Sequence, residues 1–364
     1  MSIDQIEHWV VKIPIINRYY LKRSSKFKRH LCFLLQKFGL LKPFTFVQWL
    51  ATNNCNLHCP YCEASAGKTA ENELTTEEVN RLIDDLSHMG VKRLLISGGE
   101  PLLRSDLMEI MAYASLRHLE LGLVTNGFFV EEQWNELHRF KYFLYFTSID
   151  GIPEYNNRMR GNKEAFERAM KGLELFGRLC VPVRMVNTVV HPENINQLGS
   201  LLEILKNSGA NCWRLSPIAK VGRATTESKY SLTGKQLRYL ADFIKTHQSP
   251  LKIDFGESHT YLGCFDGGLA GKPFFCGAGL TRCSIMPDGE VMGCHQVYDI
   301  CLSEGNIRDK PFSQIWNEGF TRFRRVDFPV LCRNCAHLSQ CQGGCWAEMT
   351  KQGTCLKSVW EEDF

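Results

Sequence analysis

Cys55-Asn56-Leu57-His58-Cys59-Pro60-Tyr61-Cys62 puts three thiols at C-x3-C-x2-C spacing on one short stretch, just after an apolar run at residues 44–50. Three thiolates on one loop can hold three irons of a cubane [4Fe–4S] cluster. The fourth iron then has no protein ligand. A cluster with four protein thiolates is an electron carrier. One with an open iron can also hold a substrate or cofactor, as an open catalytic metal site does and a closed structural one does not. The alternatives are a zinc site with His58 as fourth ligand, or a chance cluster of thiols. The residues around the loop decide between them.

Outward from the loop the text alternates. Residues 44–52 read as a buried strand. Thr75-x-x-Glu78 is a capping box, with Leu74 and Val79 placed as a hydrophobic staple. Val79, Leu82, Ile83, Leu86 and Met89 then form a helical stripe that Gly90 ends. Further strands are predicted at 91–97, 119–125, 142–149, 181–190 and 212–216. Helices are predicted around 107–116, 131–138, 163–176 and 195–208. Six β-α repeats without hairpin signals imply a parallel sheet, whose reactive groups belong at the strands' C-terminal ends. Gly98-Gly99-Glu100-Pro101, Thr125-Asn126-Gly127 and Ser148-Ile149-Asp150-Gly151 each fall at such an end.

With 364 residues, 44% of them hydrophobic, the chain can bury one large core and a smaller one. No apolar run is long enough to span a bilayer, and the N-terminus lacks the order of a secretory signal. Sixteen Cys without a signal, several at cluster spacing, point to metal ligation in a reducing cytoplasm. The net charge of +4 is uneven: residues 1–50 carry nine Lys and Arg against two acids, leaving 34 basic and 37 acidic residues elsewhere. Residues 1–43 are expected as a basic helical extension, with Phe27, Leu31, Leu34, Leu35, Phe38 and Leu41 at helical spacing. It either packs on the main domain or meets a membrane face or an acidic partner. No nucleic-acid partner is expected. Residues 221–270 read as a bridge, with 237–244 helical and 251–255 extended.

The Cys triad with an aromatic before its last Cys, followed by Gly98-Gly99-Glu100-Pro101, resembles the radical S-adenosylmethionine (AdoMet) enzymes. The resemblance implies a partial (β/α)6 TIM-like barrel, an α/β fold, over 44–220. It implies that AdoMet chelates the open iron of a cluster on Cys55, Cys59 and Cys62. One electron, from a donor of flavodoxin or ferredoxin type, cleaves AdoMet to a 5′-deoxyadenosyl radical that abstracts a substrate hydrogen. Tyr61, Gly98, Gly99, Glu100, Pro101, Asn126, Ser148, Asp150 and Arg160 match family positions around AdoMet. Glu100 matches a carboxylate beside the methionine amino group, and Arg160 one that pairs with the AdoMet carboxylate. Strand-end capping by Asn126 and Ser148, and a plain surface ion pair for Arg160, are the structural alternatives. Many relatives carry a His-Asp pair where this chain has Asn156-Asn157.

A second set, Cys276, Cys294, Cys332, Cys335, Cys341, Cys345 and Cys355, has the spacing of the SPASM domain. The resemblance implies a small irregular unit over 271–364 with two auxiliary [4Fe–4S] clusters. The first would take Cys276, Cys294 and Cys345, the second Cys332, Cys335, Cys341 and Cys355. Cys283 matches an eighth ligand in sulfatase-maturing relatives, which would close the first auxiliary cluster. The alternative is an inert buried thiol. His295 stands where those relatives have an Asp base, so it is a general-base candidate. It is otherwise a satisfied core histidine, and the change argues against sulfatase maturation. Cys32, Cys180, Cys212, Cys264 and Cys301 read as small buried hydrophobes. Cys264 and Cys301 are also candidate hydrogen-atom donors. The expected activity is a radical oxidoreductase that oxidises or cross-links a peptide or protein side chain. Alternatives are a radical dehydrogenase or epimerase of a small molecule such as a sugar or aminocyclitol, and a non-enzymatic redox protein.

Overall fold

Six strands pair in sequence order as a parallel ladder: β1 (Val47–Leu50), β2 (Arg93–Ser97), β3 (Glu120–Val124), β4 (Tyr142–Ser148), β5 (Val183–Val190) and β6 (Cys212–Pro217). The computed structural model describes residues 46–218, 221–224, 228–247, 250–256, 276–297, 299–324, 330–341 and 343–347. The basic extension 1–43 with Cys32, the part of the bridge with Cys264, and Cys355 lie outside them.

Successive residues of a strand face opposite ways, and here the two faces differ in kind. Trp49, Leu94, Ile96, Leu121, Leu123, Tyr145, Val186, Trp213 and Leu215 have at most 1% exposure and join the main apolar core. Their neighbours Gln48, Leu95, Ser97, Phe146, Ser148, Asn187, Val189, Arg214 and Ser216 line an internal cavity. The sheet is therefore packed on one face and open on the other.

Helices follow the strands. α1 (Thr76–His88) has the expected capping box: Thr75 Oγ1 accepts from Glu78 N, and Glu78 Oε2 accepts from Thr75 N. Val79, Leu82, Ile83 and Leu86 are buried, worth roughly 1.5–3 kcal/mol each. α2 (Leu107–Leu116), α3 (Trp134–Leu137), α4 (Pro153–Arg160), α5 (Ala165–Arg178) and α6 (Leu198–Leu205) come next. α4 was not expected. It is polar, but Pro153 opens it and Gly161, at φ 69, closes it.

Two further additions extend the sheet. Within the stretch read as a bridge, α7 (Gly234–Thr246) starts at a Thr233–Gln236 capping box, and β7 (Lys252–Phe255) pairs parallel with β6. At the other edge, β8 (Ser284–Ile285) pairs parallel with β1, and β9 (Val291–Met292) pairs antiparallel with β8. The order is β7-β6-β5-β4-β3-β2-β1-β8-β9. α8 (Phe312–Glu318) packs on α1, where Asp85 accepts from Ser313 N at 2.7 Å. Arg308 spans the same seam, donating to both carboxylate oxygens of Glu78 and to the carbonyls of Asn72, Glu73 and Asp288. The C-terminal unit thus leans on the first β-α repeat.

Candidate functional site

The cysteine loop is built almost wholly from backbone contacts. Gly67 N donates to Asn53 O and Cys55 N to Gly67 O, closing the loop on itself. Cys62 N donates to Cys59 O, and Leu57 N points at Cys55 Sγ at 3.5 Å. Two distant segments hold it down. His58 N donates to the carbonyl of Arg160 at the end of α4. Arg223 donates to Cys59 O and Ala66 O, both at 2.7 Å, while its own N–H donates to Cys62 O. A side chain on Gly222 would collide with the carbonyls of Cys62 and Glu63 at 2.3 Å. Arg223 and Gly222 escaped the sequence reading. No local motif marks a strap that acts from beyond β6.

The Gly98-Gly99 turn lies against the start of this loop. Gly99 N donates to Thr52 O and Glu100 N to Asn54 O. A Cβ on Gly98 would meet Thr52 O at 2.5 Å, and one on Gly99 would meet Asn54 O at 2.2 Å. Glycine is thus required by loop packing, whatever ligand approaches. Glu100 is turned to the protein rather than to the cavity. It is fully buried, does not line the cavity, and accepts from Leu102 N, Thr125 Oγ1 and Asn126 N. Burial pushes its carboxyl up to about 7, against these three donors. It ties the second strand end to the third and so holds Asn126 at the cavity wall. Pro101 begins the short 3₁₀ turn behind it and does not line the cavity either.

Asp150 is placed in the same way. It is fully buried behind Tyr61, whose hydroxyl donates to Oδ2 at 2.5 Å, and Val189 N donates to Oδ1. The third partner of its carboxylate is Arg160, an ion pair with 9% exposure at the arginine. The pair is buried, so it is not the surface ion pair that was the alternative for Arg160. Arg160 also lines the cavity and donates to Cys59 Sγ at 3.4 Å. Asn156 Oδ1 accepts from Asp150 N, and Asn157 Oδ1 accepts from Phe166 N at the start of α5. The amide pair in place of His-Asp therefore braces two loops.

The cavity, about 430 Å³, is bordered by residues from both ends of the described chain. Cys55, Cys59, Cys62, Tyr61, Gly98, Gly99, Asn126, Ser148 and Arg160 line it, and so do Cys276, Cys283, Cys294, Cys345 and His295. His295 Nε2 lies 3.8 Å from Glu63 Oε2, and Gln296 Nε2 donates to Glu63 Oε1 at 3.0 Å. Glu63, next to Cys62, thus joins the two thiol sets, a contact between residues far apart in sequence. Cys332, Cys335 and Cys341 lie away from the cavity on a turn where Cys335 N donates to Cys332 O. Cys301 is exposed, on a 3₁₀ turn, and does not line the cavity. Cys180 is exposed as well, and of the five residual thiols Cys212 alone is described and buried.

The donor set fits iron–sulfur clusters. All described Cys are free thiols. Burial raises Cys55 to about 11 and Cys294 to about 12, and it raises Cys59 and Cys283 as well. Buried thiols of this kind ionise only against a cation, which a bound metal supplies. For AdoMet, Arg160 Nε is buried and has no hydrogen-bond partner among the described residues, a donor suited to a carboxylate.

The radical SAM superfamily profile matches residues 49–205, and an iron–sulfur cluster-binding domain profile, SPASM, matches residues 276–336. The chain is 32% identical over 307 residues to mycofactocin maturase MftC of Mycolicibacterium smegmatis, covering 82% of this chain and 77% of that one. It is 28% identical over 326 residues to an AdoMet-dependent heme synthase of Methanosarcina barkeri, covering 82% and 90%. Among solved structures, Streptococcus suis SuiB bound to precursor peptide SuiA superposes with a TM-score of 0.70 at 18% identity, covering 92% of this chain and 79% of that one. That likeness is one of fold.

Proposed function

The chain belongs to the radical SAM superfamily and carries the SPASM iron–sulfur domain, and from that premise we propose that it is a peptide maturase that oxidises or cross-links a side chain. Its cofactors are AdoMet, a [4Fe–4S] cluster and auxiliary iron–sulfur clusters. When bound and reduced by one electron, the first cluster and AdoMet supply the agent that takes a hydrogen atom from a C–H bond.

The observation that carries the reading is the shared cavity. One continuous space touches the Cys55, Cys59 and Cys62 thiols and the Cys276, Cys283, Cys294 and Cys345 thiols. A carbon held in it lies between a hydrogen-abstracting centre and an electron acceptor, which suits a net two-electron oxidation. In this reading Gly98, Gly99, Asn126, Ser148 and Arg160 bind and orient AdoMet. Leu95, Phe146 and Met185 exclude water from the reacting carbon. His295, beside Glu63, accepts the proton that leaves after the hydrogen atom. Cys283, 2% exposed and anchored through its carbonyl by Gln48 N, closes the first auxiliary cluster as a fourth thiolate. A flavodoxin- or ferredoxin-type protein delivers the first electron. The peptide assignment is supported by the maturase relative. The heme synthase relative supports a second reading, a small-molecule substrate.

The two readings separate in one experiment. The reduced holoprotein with AdoMet is offered peptide and small-metabolite fractions from deuterated cells. Deuterium in 5′-deoxyadenosine from the peptide fraction alone supports the maturase. Deuterium from the metabolite fraction alone overturns it in favour of the second reading.

A further inference from the structure

Arg160 answers to two groups at once. One terminal nitrogen pairs with Asp150 Oδ2, and the other donates to Cys59 Sγ at 3.4 Å. Asp150 has no exposure and is fixed from two other sides, by Tyr61 OH at 2.5 Å and by Val189 N at 2.9 Å. α4 fixes the other end, since Arg160 is its last residue before the left-handed Gly161. A planar guanidinium clamped at one nitrogen has little freedom at the other. Its second N–H is therefore aimed at one sulfur of the Cys55, Cys59 and Cys62 set. Hydrogen bonds and positive charge at a cluster's sulfurs favour its reduced, more negative state. They act most strongly where water is excluded.

We propose that Arg160 is a positioning residue that, held by Asp150 and Tyr61, donates to the Cys59 sulfur and makes the first cluster easier to reduce. The inference rests on the first-cluster reading given above. The electron comes from the external donor, and Arg160 neither gains nor loses a proton. The same guanidinium keeps Nε for the AdoMet carboxylate, so one residue links the cluster's electronics to cofactor binding.

The test is an anaerobic reductive titration of the reconstituted holoprotein, followed by electron paramagnetic resonance before AdoMet is added. Later addition of AdoMet identifies the first cluster by the change in its signal. Arg160→Gln should make reduction of that cluster at least tenfold less favourable, a one-electron midpoint about 59 mV lower. Arg160→Lys keeps the charge but loses the clamped fork, and should shift the same way by less. The auxiliary midpoints should stay at their wild-type values in both. A first-cluster midpoint equal to wild type in the variants that assemble it overturns the proposal. So does an equal shift of all clusters, which marks general disturbance. If the glutamine variant fails to assemble the cluster, the lysine variant decides by the same criterion. A wild-type protein without any AdoMet-sensitive signal would instead remove the first-cluster reading, and this inference with it.

Discussion

Glu100 shows how a side chain can serve a site without facing it. Its carboxyl gathers Leu102 N, Thr125 Oγ1 and Asn126 N from two strand ends, yet burial lifts its ionisation to about 7. The folded value lies above the ordinary 4.5, so folding favours the proton. That stability is whole below about 4.5 and is lost as pH rises through about 7, at most on the order of 3 kcal/mol. The carboxyl band that disappears in Glu100→Gln should titrate near pH 7 in infrared difference spectra. A midpoint below 5 would contradict this. Arg223 makes a second prediction. Its side chain donates to two carbonyls of the cysteine loop, each such charged bond worth roughly 1.5–3 kcal/mol. Arg223→Ala should speed iron release to a chelator at least tenfold, and an unchanged rate would show that the strap is dispensable. The residues legible in the sequence were those in contiguous motifs, where spacing alone carries the chemistry. Arg223, and the Glu63 contact with His295 and Gln296, were not. Their meaning is a meeting of segments far apart in the chain, which no local pattern encodes.

At the scale of elements, the six β-α repeats were readable because apolar runs alternated with helical stripes and each motif fell at a strand end. α4 was not, because Pro153–Arg160 is short and polar and its burial comes from neighbours. Its Pro153 start and Gly161 stop were the available signal. β8 is two residues long, too short for any periodicity, yet it seats the C-terminal unit on β1. The seam is completed by α8, whose Phe312 has 1% exposure. Phe312→Ala should cost about 3–5 kcal/mol, read as a lower urea midpoint with an unchanged slope. A loss under 1 kcal/mol would mean that the C-terminal unit is not held through this seam.

For the whole molecule, the decisive fact is that residues from both ends of the described chain border one cavity. Alternation along the strands makes one sheet face a packed core and the other an open interior. The C-terminal unit then brings a second group of thiols to that interior. Among the described residues, no helix is long and apolar enough to cross a membrane. The central claim is that Cys55, Cys59 and Cys62 carry the cluster that cleaves AdoMet, separately from the auxiliary clusters. It is tested most directly by comparing the reconstituted wild type with a Cys55/Cys59/Cys62→Ala variant for iron content and for 5′-deoxyadenosine formed with AdoMet and reductant. The account predicts about twelve irons and nucleoside for the wild type, and about eight irons and no nucleoside for the variant. Nucleoside from both proteins, or zinc in place of iron in the wild type, would contradict it.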